Sequence, residues 1–165
     1  MFRVRRLGAD DWRVYRDLRL RALADSPDAF GSTLEFERQH SDAHWAERLS
    51  SGAASGWSLP LAAVDGNQLV GLVWGRIDPS EPWTAHVFQM WVAPERRGLG
   101  IGKALLDSVA AWAKEAKARH LELRVTCGDT AATRLYDRAG FKAFGDPEPL
   151  RRGSDVVAQP MRLEL

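Results

Sequence analysis

The sequence predicts an α/β (α+β) fold in which a mixed, mostly antiparallel sheet of about seven strands carries helices on both faces. Two observations favour this architecture. Segments with helical and with strand periodicity follow one another in the order β, α, α, β, β, β, α, β, α, β, β. In addition, a chain of 165 residues with 45% apolar content has the right size for one compact domain, residues 1–165, with a proper core.

The chain opens with a predicted strand and a predicted helix. Phe2–Leu7 alternates apolar and charged residues imperfectly, which indicates a short strand with a charged edge. Asp10 or Asp11 can cap the helix that follows, because an aspartate oxygen accepts hydrogen bonds from the free amides of a first turn. The Ser-Pro pair directly after Asp25 predicts the end of this helix.

A second helix is predicted from Asp42 to Ser50, after a loop that passes through Phe30. Ser41 or Asp42 is its expected cap, since both side chains carry an oxygen that can accept from the first turn. The serines, alanines and glycines that follow, from Ser50 to Gly56, indicate a flexible linker.

The middle of the chain predicts a three-stranded antiparallel meander. Leu59–Val64 and Gln68–Ile77 have strand character and flank the sequence Asp-Gly-Asn, which is a hairpin signal. A proline-rich turn then leads into a third strand, Thr84–Val92.

The last third of the chain predicts a helix, a strand, a shorter helix and a hairpin. A helix from about residue 100 to 118 leads to a strand at His120–Thr126, which the helix connects in parallel to the preceding strand. The shorter helix is expected at Thr130–Ala139. Phe141–Phe144 and Val156–Leu163 can then complete the sheet as a hairpin.

The most informative stretch runs from Phe88 to Leu106, where a strand, a turn, a glycine-rich loop and a helix follow one another. Glycines let the backbone turn tightly and approach a ligand, and the first amides of a helix have no partner within it. The helix dipole adds partial positive charge at this end, and Arg97 and Lys103 add formal charge. Together these features predict a cradle for a phosphate or a pyrophosphate.

The spacing of this loop excludes two common phosphate-binding motifs. A P-loop would need a glycine in place of Arg97 and a hydroxyl in place of Ala104. A dinucleotide fingerprint would need a third glycine in place of Lys103 or Leu105. A glycine-rich turn that only begins an ordinary helix remains the alternative.

A third pattern does match, because R-x-x-G-x-G runs from Arg97 to Gly102 directly after a strand that ends in Val-Ala-Pro. Here the sequence resembles the GNAT superfamily of N-acetyltransferases. A second mark of that family, A-x-x-L-Y followed by G-F, is met by Ala132, Leu135, Tyr136, Gly140 and Phe141. The predicted order of elements is also similar to the GNAT fold, so the resemblance covers nearly the whole chain.

The resemblance implies that acetyl-coenzyme A is the co-substrate and that the glycine loop holds its pyrophosphate. It also implies that the strand before the loop splays from its parallel neighbour, so that a free backbone N–H near Trp91 and Val92 meets the thioester carbonyl. Asp129 stands where the family commonly carries an asparagine that contacts the cofactor, and it can act as a ligand or only as a helix cap. The implied cofactor-binding residues are Trp91, Val92, Arg97, Gly98, Leu99, Gly100, Ile101, Gly102, Lys103, Asp129, Ala132 and Tyr136.

The resemblance also implies catalytic roles. Tyr136 occupies the place from which the family's tyrosine reaches the thiol sulfur, as general acid or hydrogen-bond donor, and a tyrosine that only packs its helix is the alternative. For the base, His86 lies on the strand that leads into the site, while Glu35 and Glu37 lie where the family often closes over the acceptor. A water chain with no single base is the other option. Cys127 has no histidine beside it in sequence, so an acetyl-cysteine is not expected.

The implied activity is direct transfer of an acetyl group to a primary amine of a small molecule or a peptide. A non-catalytic acyl-CoA-binding or regulatory module is the alternative. We predict no metal site, and the sequence leaves a homodimer open.

Composition and charge are consistent with a small-molecule or peptide partner. Lys and Arg number 23 against 22 Asp and Glu, so a net charge of +1 gives no general attraction for nucleic acid or membrane. The N-terminal segment lacks the apolar core of a signal peptide, and a single cysteine cannot form an internal disulfide. We therefore expect a cytoplasmic protein that binds neither nucleic acid nor membrane.

Overall fold

The computed structural model describes every residue from Met1 to Leu165. The strands are β1 (Phe2–Arg6), β2 (Ser58–Asp65), β3 (Gln68–Ile77), β4 (Thr84–Val92), β5 (His120–Thr126), β6 (Lys142–Ala143), β7 (Glu148–Pro149) and β8 (Val157–Glu164). The helices are α1 (Trp12–Asp25), α2 (Leu34–Glu37), α3 (Asp42–Ala54), α4 (Ile101–Glu115) and α5 (Ala131–Arg138). No helix is long and apolar enough to cross a membrane.

All strands join one sheet in the order β1-β2-β3-β4-β5-β8-β6, with β7 also paired to β8. β4 and β5 are parallel neighbours, and every other pair is antiparallel. This arrangement confirms the predicted mixed, mostly antiparallel sheet. The sheet has eight strands. The additional strand is β7, which pairs with β8 inside a segment that the sequence predicted as a loop.

Helices cover both faces of the sheet, as predicted. Neighbouring residues of a strand direct their side chains to opposite faces. Trp74 on β3 packs against Tyr15 of α1, with ring centroids 5.6 Å apart. A Cβ on the adjacent Gly75 would lie 3.0 Å from Val109 of α4. α1 therefore packs on one face and α4 on the other.

The first helix begins differently from the prediction. Asp11 precedes α1, but its side chain makes no capping hydrogen bond to the helix. The carboxylate instead accepts from the backbone N–H of Gly8 at 2.8 Å and from the Arg5 guanidinium at 2.8 and 3.0 Å. An arginine on the neighbouring strand thus takes the oxygen atoms that a cap would need. Ser41, in contrast, caps α3 as predicted, by accepting from the amide of His44 at 3.1 Å.

Two helix boundaries also differ from the prediction. The loop predicted after α1 contains a short helix, α2, whose first turn is capped by the hydroxyl of Thr33. α4 ends at Glu115, earlier than predicted, because the nearby Lys117 adopts a left-handed backbone with φ of +67°. A lysine in that conformation cannot continue a right-handed helix.

The predicted flexible linker is wrong, because Ser50 to Ala54 forms the last turns of α3. Gly52 is buried there, and a Cβ on it would lie 2.2 Å from Cζ2 of Trp74. The glycine is therefore required for close packing of the helix on the sheet, and it does not make the backbone flexible. Sequence composition could not separate these two uses of glycine, since Trp74 is distant along the chain.

We expect Gly52→Ala to destabilise the fold, because even a methyl group would force Trp74 out of its position. Overpacking of this kind costs about 1–3 kcal/mol, which corresponds to a loss of about 5 °C in Tm for a domain of this size. Gly56→Ala is the matched control, because a Cβ at Gly56 would meet nothing within 4 Å. Thermal unfolding of both variants checks the prediction, and equal Tm values would contradict it.

Candidate active site

The central feature of the site is a gap in the sheet between β4 and β5. The two strands pair only from Thr84 to His86 and from His120 to Glu122. Beyond these residues β5 remains paired with β8 along its whole length. The rest of β4, from Val87 to Val92, therefore presents an edge that no strand covers.

A β-bulge bends β4 away from β5 at this point. Trp74 of β3 pairs with Phe88 and Leu72 pairs with Trp91, so Gln89 and Met90 both oppose a single residue of β3. Gln89 has a φ of +55°, which is uncommon for a residue with a side chain. A bulge of this kind bends its strand and increases the local twist.

The bulge is held from the neighbouring helix. The hydroxyl of Tyr15 on α1 donates a hydrogen bond of 2.9 Å to the side-chain oxygen of Gln89. Tyr15 is fully buried, between the rings of Trp45 and Trp74. Core packing of α1 thus fixes the place where β4 leaves β5.

The uncovered edge of β4 presents a backbone N–H at Val92. The amide of Ala93 donates to Val70 on β3 at 2.8 Å. Because successive residues of a strand direct their N–H groups to alternate sides, the amide of Val92 faces the gap, whereas that of Trp91 faces β3. Of the two residues predicted to lie near the thioester carbonyl, Val92 is therefore the one that offers a free donor.

The glycine loop that follows β4 exposes a row of backbone amides. Gly98 and Gly100 have φ values of +78° and +83°, which is the left-handed conformation that favours glycine. None of the amides from Gly98 to Lys103 donates a hydrogen bond within the chain. The first turn of α4 contains no acidic residue and no side-chain cap. These donors, together with the helix dipole, fit the phosphate oxygens of coenzyme A.

Other residues of the loop have packing roles. A Cβ on Gly102 would lie 3.0 Å from Leu135 of α5 and 3.5 Å from Met90, so this glycine lets α4 approach α5 and β4. Ile101 is buried in the core with 1% of its surface exposed, and Leu99 is exposed. Gly102 therefore allows close packing between α4, α5 and β4. The sequence had predicted that Gly98, Gly100 and Gly102 would all contact a ligand.

The two predicted cationic residues of the loop are already paired. Arg97 donates to the Val92 carbonyl at 3.0 Å and to the Asp25 carboxylate at 2.9 Å. Lys103 contacts Asp107 at 2.5 Å on the exposed side of α4. Their formal charge at the loop is thereby partly offset, and the backbone amides contribute the larger share of the attraction for an anion.

The hydroxyl of Tyr136, which has no hydrogen-bond partner within the chain, lies at a large cleft beside the bulge of β4. The cleft has a volume of about 1140 Å³ and is lined by Tyr136 together with Gln89 and Met90 of the bulge. Only 6% of the residue is exposed, and the ring packs edge-on against Phe141. Burial raises the pKa of the Tyr136 phenol well above its ordinary value, with no hydrogen bond to offset it. The phenol therefore keeps its proton and can act as a donor.

His86 lines the same cleft, at the last paired position before β4 and β5 diverge. Its Nδ1 lies 4.0 Å from the carboxylate of Glu122, which is its partner in register on β5. Arg162 of β8 holds that carboxylate through its Nε at 2.8 Å. An imidazole with a carboxylate beside one nitrogen is a suitable proton acceptor for an amine.

The structure separates the two glutamates that the sequence placed beside the acceptor. Glu35 is exposed on α2 and does not line the cleft. Glu37, two residues later, is buried and pairs with Arg48 of α3 at 2.9 Å. The structure therefore does not bring Glu35 together with His86 and Tyr136.

The N-terminus of α5 corrects one interpretation of Asp129. Thr130 is the residue that caps this helix, by accepting from the amide of Thr133 at 3.2 Å. Asp129 instead forms an ion pair of 2.7 Å with Arg134, and 86% of its side chain is exposed. The alternative that Asp129 only caps the helix is therefore wrong, because the hydroxyl of Thr130 makes the capping hydrogen bond. Ala132 is exposed on the same helix.

Sequence reasoning missed two residues of the site, Gln89 and Arg19. Gln89 is not recognisable from the sequence, because strand patterns do not show where a bulge falls. Arg19 is buried, with 4% of its surface exposed, and lines the cleft. It follows Tyr15 by four residues on the buried face of α1, and a charged residue in that stripe was a signal that could have found it.

Comparison with known proteins agrees with this geometry. A model of the acetyltransferase (GNAT) family matches residues 18–141. The chain belongs to that family. Membership in the GNAT family confirms the resemblance and the fold that the sequence predicted.

The GNAT chain is also similar to individual proteins. A mycothiol acetyltransferase from Acidothermus cellulolyticus is 30% identical over 164 residues, which cover 92% of this chain and 47% of the relative. The chain spans about half the length of the curated relatives it matches, or less.

Solved structures agree on the fold. A ribosomal-protein-alanine N-acetyltransferase from Brucella melitensis superposes with a TM-score of 0.80 at 21% identity over 99% of both chains. An acetyltransferase from Salmonella typhimurium, solved with its cofactor acetyl-CoA, superposes with a TM-score of 0.81 at 15% identity over 100% of this chain and 94% of that one.

We expect Gly100→Asn to weaken binding of coenzyme A by about tenfold or more, because a side chain would stand among the exposed amides. Asparagine tolerates the left-handed backbone, so the loop should keep its conformation. Gly66→Asn is the control, since Gly66 also has a positive φ, of +59°, and a Cβ there would meet nothing within 4 Å, but it lies in the β2–β3 turn and outside the glycine loop. Isothermal titration calorimetry measures both affinities. Unchanged affinity in a folded Gly100→Asn protein would mean that the loop is only a turn.

Proposed function

We propose that this protein transfers the acetyl group of acetyl-coenzyme A directly to a primary amine of a small molecule or a peptide. The observation that carries the proposal is the gap between β4 and β5, which places the free amide of Val92 on an edge that ends in the glycine loop. One side of the gap thus offers donors for a phosphate and a carbonyl. The cleft beside it offers a phenol and an imidazole for proton transfer.

The residues of the glycine loop and of α5 are proposed to hold the co-substrate. The amides from Gly98 to Lys103 would bind its pyrophosphate, and the Val92 amide would donate to the thioester oxygen. When bound, acetyl-coenzyme A supplies the activated acetyl group that the amine attacks. Asp129 and Ala132 face solvent at the start of α5, where the sequence predicted a further contact with the cofactor.

His86 is proposed to take the proton from the amine. A lysine-like amine has an ordinary pKa of about 10.4, so it must lose a proton before it can attack. The carboxylate of Glu122 stabilises the imidazolium that forms and orients the ring, and Arg162 keeps that carboxylate in place.

Tyr136 is proposed to donate a hydrogen bond to the departing sulfur. Because burial raises the pKa of its phenol, complete transfer of this proton to a thiolate with an ordinary pKa of about 8.5 is unfavourable. A hydrogen bond that strengthens as charge develops on the sulfur lowers the barrier without that transfer.

A non-catalytic acyl-CoA-binding module would not need these proton-transfer groups. The Tyr136 hydroxyl makes no hydrogen bond within the chain and opens on the cleft, where a ligand can meet it. His86 and its carboxylate are likewise unnecessary for binding alone. We therefore favour the enzyme.

We propose, further, that residues 1–165 form one domain and that the protein works in the cytoplasm. One sheet includes strands from both ends of the chain, which supports a single folding unit. The thiol of Cys127 is exposed, and a reducing compartment would keep it free.

We expect Tyr136→Phe to lower kcat by about 10²-fold while leaving the affinity for coenzyme A nearly unchanged, because the ring remains and only the donor is lost. Steady-state kinetics and calorimetry measure the two quantities. Since the folded-state pKa of the phenol is raised, the wild-type rate should show no alkaline fall caused by Tyr136 below about pH 10. A kcat in Tyr136→Phe equal to that of the wild type would show that Tyr136 only packs against its neighbours.

We expect His86→Gln to lower kcat at neutral pH by about 10²-fold, because no imidazole then accepts the proton of the amine. His120→Gln is the control, as His120 also lies in the sheet beside a glutamate, Glu164, but outside the cleft. Rates measured as a function of pH for both variants test this role. A kcat in His86→Gln equal to that of the wild type would favour a water chain.

A further inference from the structure

A buried cluster of charged residues lies beneath the cleft, where α1, α2 and α3 meet. We call Arg19, Glu37 and Arg48 the arginine cluster. Arg19 and Glu37 are each only 4% exposed. Arg48 donates to the Glu37 carboxylate at 2.9 Å, whereas the closest approach of Arg19 to that carboxylate is 3.6 Å.

The arginine cluster carries one more positive charge than negative. Its two guanidinium groups share a single carboxylate. His40 and Tyr15 add no charge near neutral pH, because burial and the charge of His44 lower the pKa of His40 and burial raises that of Tyr15. An excess positive charge in a poorly solvated position destabilises the protein unless an anion neutralises it.

Arg19 has no hydrogen-bond acceptor within the chain. Its Nε and Nη1 are buried and unpartnered. Buried polar groups are nearly always paired, and leaving a charged donor without a partner is strongly unfavourable. Burial also lowers the pKa of this guanidinium, which reflects the same lack of compensation.

The guanidinium of Arg19, whose Nε and Nη1 have no acceptor, lies at the acceptor side of the cleft. Arg19 and Arg48 line the cleft together with His86 and Tyr136. Arg19 lies one helical turn after Tyr15, whose hydroxyl binds Gln89 in the bulge of β4. The ring of Phe30, which also lines the cleft, lies 4.7 Å from the centre of the guanidinium and fixes its plane.

We propose that the amine acceptor carries a carboxylate and that Arg19 binds it. This inference rests on the proposed function, since it names the class of acceptor used at the same site. A carboxylate brings one negative charge, which matches the single excess positive charge of the arginine cluster. Placed against Arg19 at the cleft wall, it also supplies an acceptor to a guanidinium that makes no hydrogen bond within the chain. A phosphate would bring about two charges and overcompensate the cluster.

The closeness of the arginine cluster to the bulge of β4 indicates that the acceptor is a small molecule. Arg19 and the residue that holds the bulge are separated by one helical turn, so a compact molecule can present its carboxylate to Arg19 and its amine to the edge of β4. Neutral amines would leave Arg19 unpaired, and a site with unpaired polar groups discriminates strongly against such substrates.

The experiment compares pairs of acceptors that differ only in the carboxylate. β-Alanine and β-alaninamide form one pair, 4-aminobutyrate and its amide form another, and α-amino acids with their amides form the rest. Phosphoethanolamine and short peptides are further arms. Release of free coenzyme A is measured for the wild type, for Arg19→Met and for Arg13→Met, an exposed arginine of the same helix.

We expect the wild type and Arg13→Met to prefer the carboxylate member of at least one pair by about 10²-fold in kcat/KM. Arg19→Met should lose that preference through a higher KM for the carboxylate member of the pair. Equal kcat/KM values within every pair for the wild type would overturn the proposal. A preference that survives in Arg19→Met, or a preference for phosphoethanolamine, would overturn it as well.

Two further measurements keep the proposal testable if Arg19→Met does not fold or if no amine is acetylated. If Arg19→Met does not fold, Arg19→Lys keeps the charge and should reduce the preference without abolishing it, because an ammonium lacks the planar donors. If no amine of any kind is acetylated, the proposed function fails. In that case calorimetry of the wild type with coenzyme A present decides this inference, by comparing binding of each carboxylate with that of its amide. Equal binding would overturn it.

Discussion

The divergence of β4 from β5 is the constraint on which the rest of the site depends. A strand has two edges for hydrogen bonding, and β4 uses one for β3 along its length but the other for β5 only at its start. The bulge at Gln89 and the hydrogen bond from Tyr15 fix the point of divergence. The free amide of Val92 and the cleft beside the strand follow from this geometry.

Small residues hold the elements on either side of the gap. A Cβ on Gly71 of β3 would lie 3.1 Å from Ile101 and Leu105, and one on Gly75 would lie 3.0 Å from Val109. The two glycines let α4 lie close to the sheet, so its N-terminus emerges directly at the end of β4. Gly52 does the same for α3 on the opposite face. Close packing, rather than loop flexibility, thus positions the groups of the site.

The two sides of the site differ in the origin of their positive potential. At the glycine loop the potential comes mainly from backbone amides and the helix dipole, because Arg97 is paired with Asp25 and Lys103 with Asp107. Beneath the acceptor side it comes from formal charge, since Arg19 and Arg48 share the single carboxylate of Glu37. Backbone donors suit a polyanion at the surface, whereas a buried guanidinium suits a single charge that can be enclosed.

The sequence by itself determined the order of the elements, the parallel connection through α4 and the amide-rich loop at its start. These features depend on periodicity and turn chemistry, which are local and readable along the chain. It also named Tyr136 and His86, whose roles remain proposals. Only the tertiary structure decided the bulge at Gln89, the packing use of Gly52 and the burial of Arg19 with two nitrogens that lack an acceptor. These features depend on contacts between residues that are distant along the chain. The spacing of residues within one segment does not show which residues of other segments they will contact.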